Sequence, residues 1–99
     1  MIRRDGDRMV VSGPLTLAQV STALREGNEA IGAGARSVDF GDIDELDSSA
    51  LALLLAWLRE ARRHGRELAF TNLPQGLTTI ARLYGVADLL SARTAPDHH

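Results

Sequence analysis

The residues with the greatest chemical potential are an acidic segment and the two serines that follow it. Five carboxylates lie within residues 39–47, and Ser48 and Ser49 come directly after them. Carboxylates at alternate positions, such as Asp42 and Asp44, can bind a divalent cation, and a single carboxylate can attack phosphorus. Calcium binding and a metal-dependent phosphohydrolase are therefore two hypotheses for this segment.

The residues around these carboxylates argue against both hypotheses. A calcium loop needs a glycine at its sharp turn and a closing bidentate Glu, and neither is present at the required spacing. A phosphatase-type nucleophile normally works with a lysine, and this chain contains none. The simpler interpretation is a solvated segment whose carboxylates cap a helix and stabilise turns. We therefore predict no metal and no cofactor.

Ser48 and Ser49 are hydroxyls at the expected start of a helix, and either Asp47 or Ser48 can cap it by accepting hydrogen bonds from the free N–H groups of its first turn. They lack the partners of a catalytic serine, because His64 lies a full helix away and no Gly-x-Ser-x-Gly elbow is present. A capping hydroxyl usually contributes about 1 kcal/mol. A hydroxyl at this position is also well placed for phosphorylation, because the helix dipole and free N–H groups favour an anion. The residues alone leave capping and phosphorylation of Ser48 open and predict no catalytic residue.

The composition is that of one ordinary domain. The 99 residues, 44% of them hydrophobic, suffice for a single core. A net charge of −2 gives no reason to expect nucleic acid or an anionic membrane as partner, and the absence of cysteine excludes disulfides. The longest apolar run, residues 50–58, is far shorter than the ~20 residues of a membrane span. We expect a cytoplasmic protein without membrane insertion.

Turn and capping signals predict the elements that position the acidic segment. Asp5-Gly6 favours a tight hairpin, Gly13-Pro14 should end the second strand, and Thr16 can cap the first helix. The predicted elements are strands 2–4 and 8–12, a helix 16–32, a strand 37–40, an acidic loop 41–47, a helix 48–64, a strand 67–71, a helix 74–84 and a short segment 86–90, which is either a brief strand or a helical turn. In the strand 67–71, Leu68 and Phe70 face one side and Ala69 the other. A right-handed crossover places parallel strands around the helix 48–64. The fold class is α/β, with a mixed sheet and about three helices mainly on one face.

The helix after Ser48 has more apolar residues than one core stripe requires. Five residues form the predicted inward stripe: Leu51, Leu54, Leu55, Leu58 and Ala61. This leaves Ala52 and Ala56 away from the core, with Leu53 and Trp57 on a shoulder. Small residues allow another backbone to approach, and a half-exposed Trp is a typical interface anchor. The alternative is that Leu53 and Trp57 only widen the core face. The C-terminal end of this helix is predicted to carry positive charge that complements the helix dipole, from Arg59, Arg62, Arg63 and His64. In the helix 74–84, Tyr84 is predicted to point inward.

The segment 43–55 resembles the signature of STAS domains, the sulfate-transporter and anti-sigma-factor-antagonist family. In that family an Asp-Ser/Thr pair opens the helix after the third strand. Four residues match the pattern: Asp47, Ser48, Ser49 and Leu51. Ala50 stands where the regulatory antagonists usually have Gly. The resemblance covers nearly the whole chain and implies a STAS-like domain at residues 1–93, with a tail at 94–99 that we expect to be disordered.

Within the family, the resemblance is greatest to the cytoplasmic STAS subunits of Mla-type phospholipid ABC transporters. Residues 12–16, 51–55 and 77–86 carry it. The resemblance implies a non-enzymatic subunit that docks on the transporter's ATPase, at the cytoplasmic side of the inner membrane, in a system for outer-membrane lipid asymmetry. It implies seven partner-binding residues: Asp47, Ser48, Ser49, Ala52, Leu53, Ala56 and Trp57. The alternative is an anti-sigma factor antagonist that is switched by phosphorylation of Ser48.

Overall fold

The computed structural model describes residues 2–91 and confirms the predicted order of strands and helices. The elements are β1 (Ile2–Asp5), β2 (Arg8–Leu15), α1 (Leu17–Gly32), β3 (Ser37–Leu46), α2 (Ser49–Arg63), β4 (Ala69–Thr71), α3 (Gln75–Leu83) and α4 (Ala87–Ser91). The last short segment, predicted as a strand or a helical turn, is therefore helical. The predicted tail at 94–99 lies outside the described residues.

The sheet is mixed, as predicted, with strand order β1-β2-β3-β4. β1 and β2 form the antiparallel hairpin, and Gly6 at its turn has a φ of 67°. The pairs β2–β3 and β3–β4 are parallel. Both parallel connections step across the sheet in the same direction, so right-handed crossovers put α1 and α2 on the same face. The two helices pack against each other there.

β2 and β3 are longer than predicted. β2 continues through Gly13-Pro14 to Leu15, and β3 continues to Leu46, so most of the predicted acidic loop 41–47 is strand. Both predictions of a break were wrong because the two extensions pair with each other, with Leu15 opposite Leu46. The register shifts at Gly13/Pro14, and such irregularities are where strands accept Gly and Pro.

Three aromatic rings hold α2 against the sheet. Trp57 of α2 stacks on Phe40 of β3, with ring centroids 6.4 Å apart. Phe40 meets Phe70 of β4 edge to face, with centroids 5.8 Å apart. All three side chains are buried. Leu68 and Phe70 point into this core, as the alternation in the predicted strand 67–71 indicated, although β4 itself is shorter.

The residues of α2 that are buried form a face centred about 60° around the helix axis from the stripe that was predicted to be buried. Leu53 is 1% exposed and Trp57 is 0% exposed. The predicted shoulder position was therefore wrong, and the alternative, that both residues widen the core face, was correct. Leu55 and Leu58, predicted to point inward, are only half-buried. This arrangement requires space on α1, where a Cβ at Gly27 would overlap the indole of Trp57. The missing side chain gives the indole room between the helices.

Tyr84, which was predicted to point inward, is 65% exposed, so that prediction was wrong; the apolar Leu17 is also exposed, at 73%. Leu17 is the first residue of α1, and Tyr84 follows the last residue of α3. Side chains at helix ends can point past the core, because fewer neighbouring residues cover them than in the helix interior.

Candidate functional site

Asp47 links the N-terminal ends of two helices. One carboxylate oxygen, Oδ1, accepts a hydrogen bond from the backbone N–H of Ser49 at 2.8 Å. The other, Oδ2, accepts one from the backbone N–H of Leu17 at 3.1 Å. These N–H groups open α2 and α1 and have no acceptor within their own helices. Both hydrogen bonds lower the pKa of Asp47, and the bond from Leu17 has the larger effect.

Ser48 is exposed and is not needed as a cap. Of the two residues predicted to cap α2, Asp47 does so, whereas the hydroxyl of Ser48 makes no capping hydrogen bond. The backbone of Ser48 is already helical, with φ −65° and ψ −16°. Its hydroxyl is therefore available beside two helix N-termini, where partial positive charge favours an acceptor or an anion.

The accessible surface next to Ser48 is narrower than predicted. Ala52 is exposed and Ala56 is half-buried, whereas Leu53 and Trp57 are in the core. Ser49 is half-buried at the first position of α2. We define the Ser48 surface as Asp47, Ser48, Ser49, Ala52 and Ala56. Its small side chains allow a partner backbone to approach closely.

The outward face of α2 continues beyond Ala52 to Leu55, Arg59 and Arg62. These three residues were not predicted to form part of a surface. Leu55 was assigned to the core stripe, and the arginines were interpreted only as helix-end charges. Their spacing in the sequence indicates that they form one surface, since residues 52, 55, 59 and 62 share one side of a helix. Choosing that side as the outer one requires knowing which face Trp57 occupies.

The carboxylates of the acidic segment do not form a metal-binding cluster among the described residues. Asp39 accepts hydrogen bonds from the side chain of Asn72 at 3.0 Å and from the backbone N–H of Gly41 at 2.8 Å. These two bonds, in that order, lower the pKa of Asp39. Asp42 and Asp44 are exposed on β3. Within residues 2–91, no group of three or more metal-binding side chains is placed to hold an ion.

His64 is a helix-end residue, as predicted. It follows the last residue of α2, and its Nε2 lies 3.1 Å from Oε2 of Glu60.

In the part of the chain that the structure describes, no helix has the length and apolarity required to cross a membrane.

Solved structures with a similar fold include bacterial regulatory proteins. The anti-sigma factor antagonist SpoIIAA in its unphosphorylated form gives a TM-score of 0.63 at 18% identity, over 84% of this chain and 81% of that one. The phosphorylated form of SpoIIAA from Bacillus gives 0.67 at 19% identity, over 98% and 91%. A Thermotoga maritima protein described as an anti-sigma factor antagonist gives 0.70 at 12% identity, over 91% and 81%. At these identities the likeness shows a shared fold.

A family model identifies the chain more closely. No protein with a curated description matches the sequence significantly. The family model described as "Mlab, STAS domain" matches residues 1–91. STAS domains are generally non-catalytic modules that bind other proteins. Because the match spans almost the entire sequence, this chain belongs to the STAS domain family.

Proposed function

We propose that this chain is a non-catalytic accessory subunit that binds, and regulates or stabilises, the ATPase of an Mla-type phospholipid ABC transporter for outer-membrane lipid asymmetry. The Mlab description of the matching family supports this proposal. The observation that carries it is the exposed hydroxyl of Ser48, which makes no capping hydrogen bond at the junction of two helices. A polar group that the fold does not use is available to a partner.

The Ser48 surface provides two kinds of contact. Ser48 offers a hydroxyl beside the N-terminal ends of α1 and α2, and Ala52 offers a flat apolar position one turn further along α2. Asp47 acts by positioning, because its hydrogen bonds fix both helices. Leu53 and Trp57 lie beneath the surface and influence a partner only through the position of α2.

Regulation of an ATPase by such a subunit follows from linkage. A protein that binds one conformation of the ATPase more tightly than another shifts the population towards that conformation. The same coupling makes a nucleotide that favours this conformation tighten binding of the subunit. No chemical step by the STAS domain is required.

The test is co-purification of the chain with the ABC ATPase encoded beside it. We expect the wild-type chain to retain the ATPase, and Ser48→Glu and Ala52→Glu to weaken the complex at least tenfold. Thr79→Glu, which adds the same charge at an exposed position of α3, is the matched control and should bind normally. Failure of the wild-type chain to bind any ABC ATPase of its own operon would overturn the proposal.

The second candidate function is an anti-sigma factor antagonist switched by phosphorylation of Ser48. The exposed hydroxyl and the fold shared with phosphorylated SpoIIAA favour it. A phosphate adds a charge of about −2 and would repel a partner whose surface is acidic. Ala50 counts against this function, because it is buried at the position where regulatory antagonists usually have Gly.

A kinase assay separates the two functions. The chain is incubated with the serine kinase encoded nearest to it and ATP, and phosphate is located by mass spectrometry. Stoichiometric modification that disappears in Ser48→Ala but persists in Ser49→Ala, and that releases a bound partner, would establish the second function in place of the first. Absence of modification together with ATPase binding supports the transporter subunit.

A further inference from the structure

The second half of α2 borders an apolar groove. Leu55, Leu58 and Leu89 line a cavity of about 270 Å³ between α2 and α4, together with Arg59 and Arg62. We call these five residues the arginine groove. An adjoining cleft of about 200 Å³ shares Leu58 and Arg62 with it and extends it towards the C-terminal end of α2.

The leucines of the arginine groove remain accessible in the folded chain. Leu89 is 49% exposed, and Leu55 and Leu58 are half-buried. Leucines that come from two helices and converge on one cavity form a contiguous apolar floor, whereas exposed leucines on monomeric proteins are usually scattered singly.

The two arginines beside this floor have no acidic partner among the described residues. Among residues 2–91, neither Arg59 nor Arg62 takes part in an ion pair. Glu60, the carboxylate between them in sequence, is held by Arg63 at 2.9 Å and His64 at 3.1 Å. An exposed guanidinium offers a planar fork of donors that matches a carboxylate.

We infer that the arginine groove binds an acidic amphipathic helix of a partner protein. The apolar stripe of such a helix covers the three leucines, and carboxylates at its edge pair with Arg59 and Arg62. Helix binding in an apolar groove is a common mode of peptide recognition, read by residues at three- and four-residue spacing. The arginines add charge complementarity, which selects acidic partners over basic ones.

The arginine groove is a separate surface from the Ser48 surface. Both surfaces include residues of α2 but they share none of them, so a single large partner can contact both. Either surface can also bind a partner alone, and charge reversal at the arginines and Ser48→Glu distinguish the two surfaces.

The probes are two labelled helical peptides of about 16 residues, with leucines at helical spacing and flanking positions that are all Glu in one and all Lys in the other. Fluorescence anisotropy gives the affinities, and amide chemical shifts locate the site. We expect the acidic peptide to bind at least tenfold more tightly than the basic one. The shifts should fall on the C-terminal half of α2 and on α4.

Charge-reversal variants give the decisive comparison. Arg59→Glu/Arg62→Glu should weaken binding of the acidic peptide at least tenfold and strengthen binding of the basic one. Arg25→Glu/Arg36→Glu is the matched control, because it makes the same charge change at two exposed arginines elsewhere. Ser48→Glu should leave peptide binding unchanged, so that failure at the groove is distinguishable from failure of the proposed function.

Several results would overturn the inference. One is equal affinity for the two peptides, and another is equal loss in the two double variants. A third is arginine-dependent sedimentation with vesicles of phosphatidylcholine and phosphatidylglycerol without peptide binding, which would assign the groove to a lipid surface. A fourth is arginine-dependent dimerisation in sedimentation equilibrium, which would assign it to a second copy of the chain. Circular dichroism checks that each variant is folded.

Discussion

The two faces of α2 differ in what their residues do. On the inner face, Trp57 and Leu53 are buried, and the Trp57 indole packs against Phe40 of the sheet and Gly27 of α1. On the outer face, Ser48, Ala52 and Arg59 are exposed. The most apolar candidates for a docking face are thus the residues that hold the helix in place. The surface left for a partner is composed of smaller and more polar groups.

The largest effect should come from removing the anchor of the inner face. Trp57→Ala deletes a buried indole that stacks on Phe40, and the loss in the free energy of unfolding should be about 3–5 kcal/mol. Urea denaturation measures it. Trp57→Phe is the control and should cost far less, because it keeps an aromatic ring and removes an N–H that has no partner among the described groups. A loss below ~1 kcal/mol in Trp57→Ala would contradict the division into two faces.

Trp57→Ala is also a poor probe of the interface. A chain weakened by several kcal/mol loses its partner through unfolding, whatever the contacts are. Substitutions on the outer face avoid this ambiguity.

The next effect tests why the inner face lies where it does. Gly27→Ala places a Cβ against the indole of Trp57 and should destabilise the protein by about 1–3 kcal/mol through overpacking. Gly32→Ala is the matched control on the same helix. Its Cβ would meet His64 at 3.6 Å, an ordinary contact, so thermal unfolding should show little change. An equal change in Tm in the two variants would show that the missing side chain at Gly27 is not what allows Trp57 to be buried there.

A smaller effect is expected where the two helices begin. Asp47→Asn removes the charge and leaves one acceptor oxygen for the two hydrogen bonds from Leu17 and Ser49. The loss of one hydrogen bond should lower Tm by roughly 5 °C at neutral pH. Asp44→Asn, the same change at an exposed position of β3, should lower Tm less.

The pH dependence of this difference has a definite sign. Folding lowers the pKa of Asp47, so its stabilisation is complete above the usual aspartate pKa of about 3.9 and is lost as the pH falls through the lowered folded value. The gap in Tm between wild type and Asp47→Asn should therefore stay constant above roughly pH 5 and close in more acidic solution. A gap that widened as the pH fell would contradict the role given to the carboxylate.

The smallest effect on stability should come from Ser48→Glu. An exposed residue without a capping bond tolerates the change, and we expect the free energy of unfolding to alter by less than about 0.5 kcal/mol. Urea denaturation measures it beside the binding assay of the proposed function. Ser49→Glu, at a half-buried position, should destabilise more. Loss of binding in Ser48→Glu without loss of stability would mark the outer face as functional.

Local signals were sufficient for the order of the elements. The hairpin at Asp5-Gly6, the helix that begins after Thr16 and the inward positions of Leu68 and Phe70 were all predicted correctly. Each depends on residues only a few positions apart. The capping role of Asp47 belongs to the same group, although its second hydrogen bond, from Leu17 thirty residues away, was not predicted.

Other features depend on neighbours far away in the sequence. The extension of β2 through Gly13-Pro14 depends on pairing with β3, because Leu15 lies opposite Leu46. For this reason the turn propensity of Gly-Pro was a poor guide to where the strand ends.

The sequence by itself determined the α/β order, the start of α2 at Asp47 and the resemblance to STAS domains, because these follow from local spacing and motif. Only the tertiary structure decided which face of α2 is buried. Helical periodicity defines apolar stripes but cannot choose between two adjacent ones. Trp57 packs against α1 where Gly27 has no side chain, and with Trp57 buried there, Ala52 and Arg59 face outward.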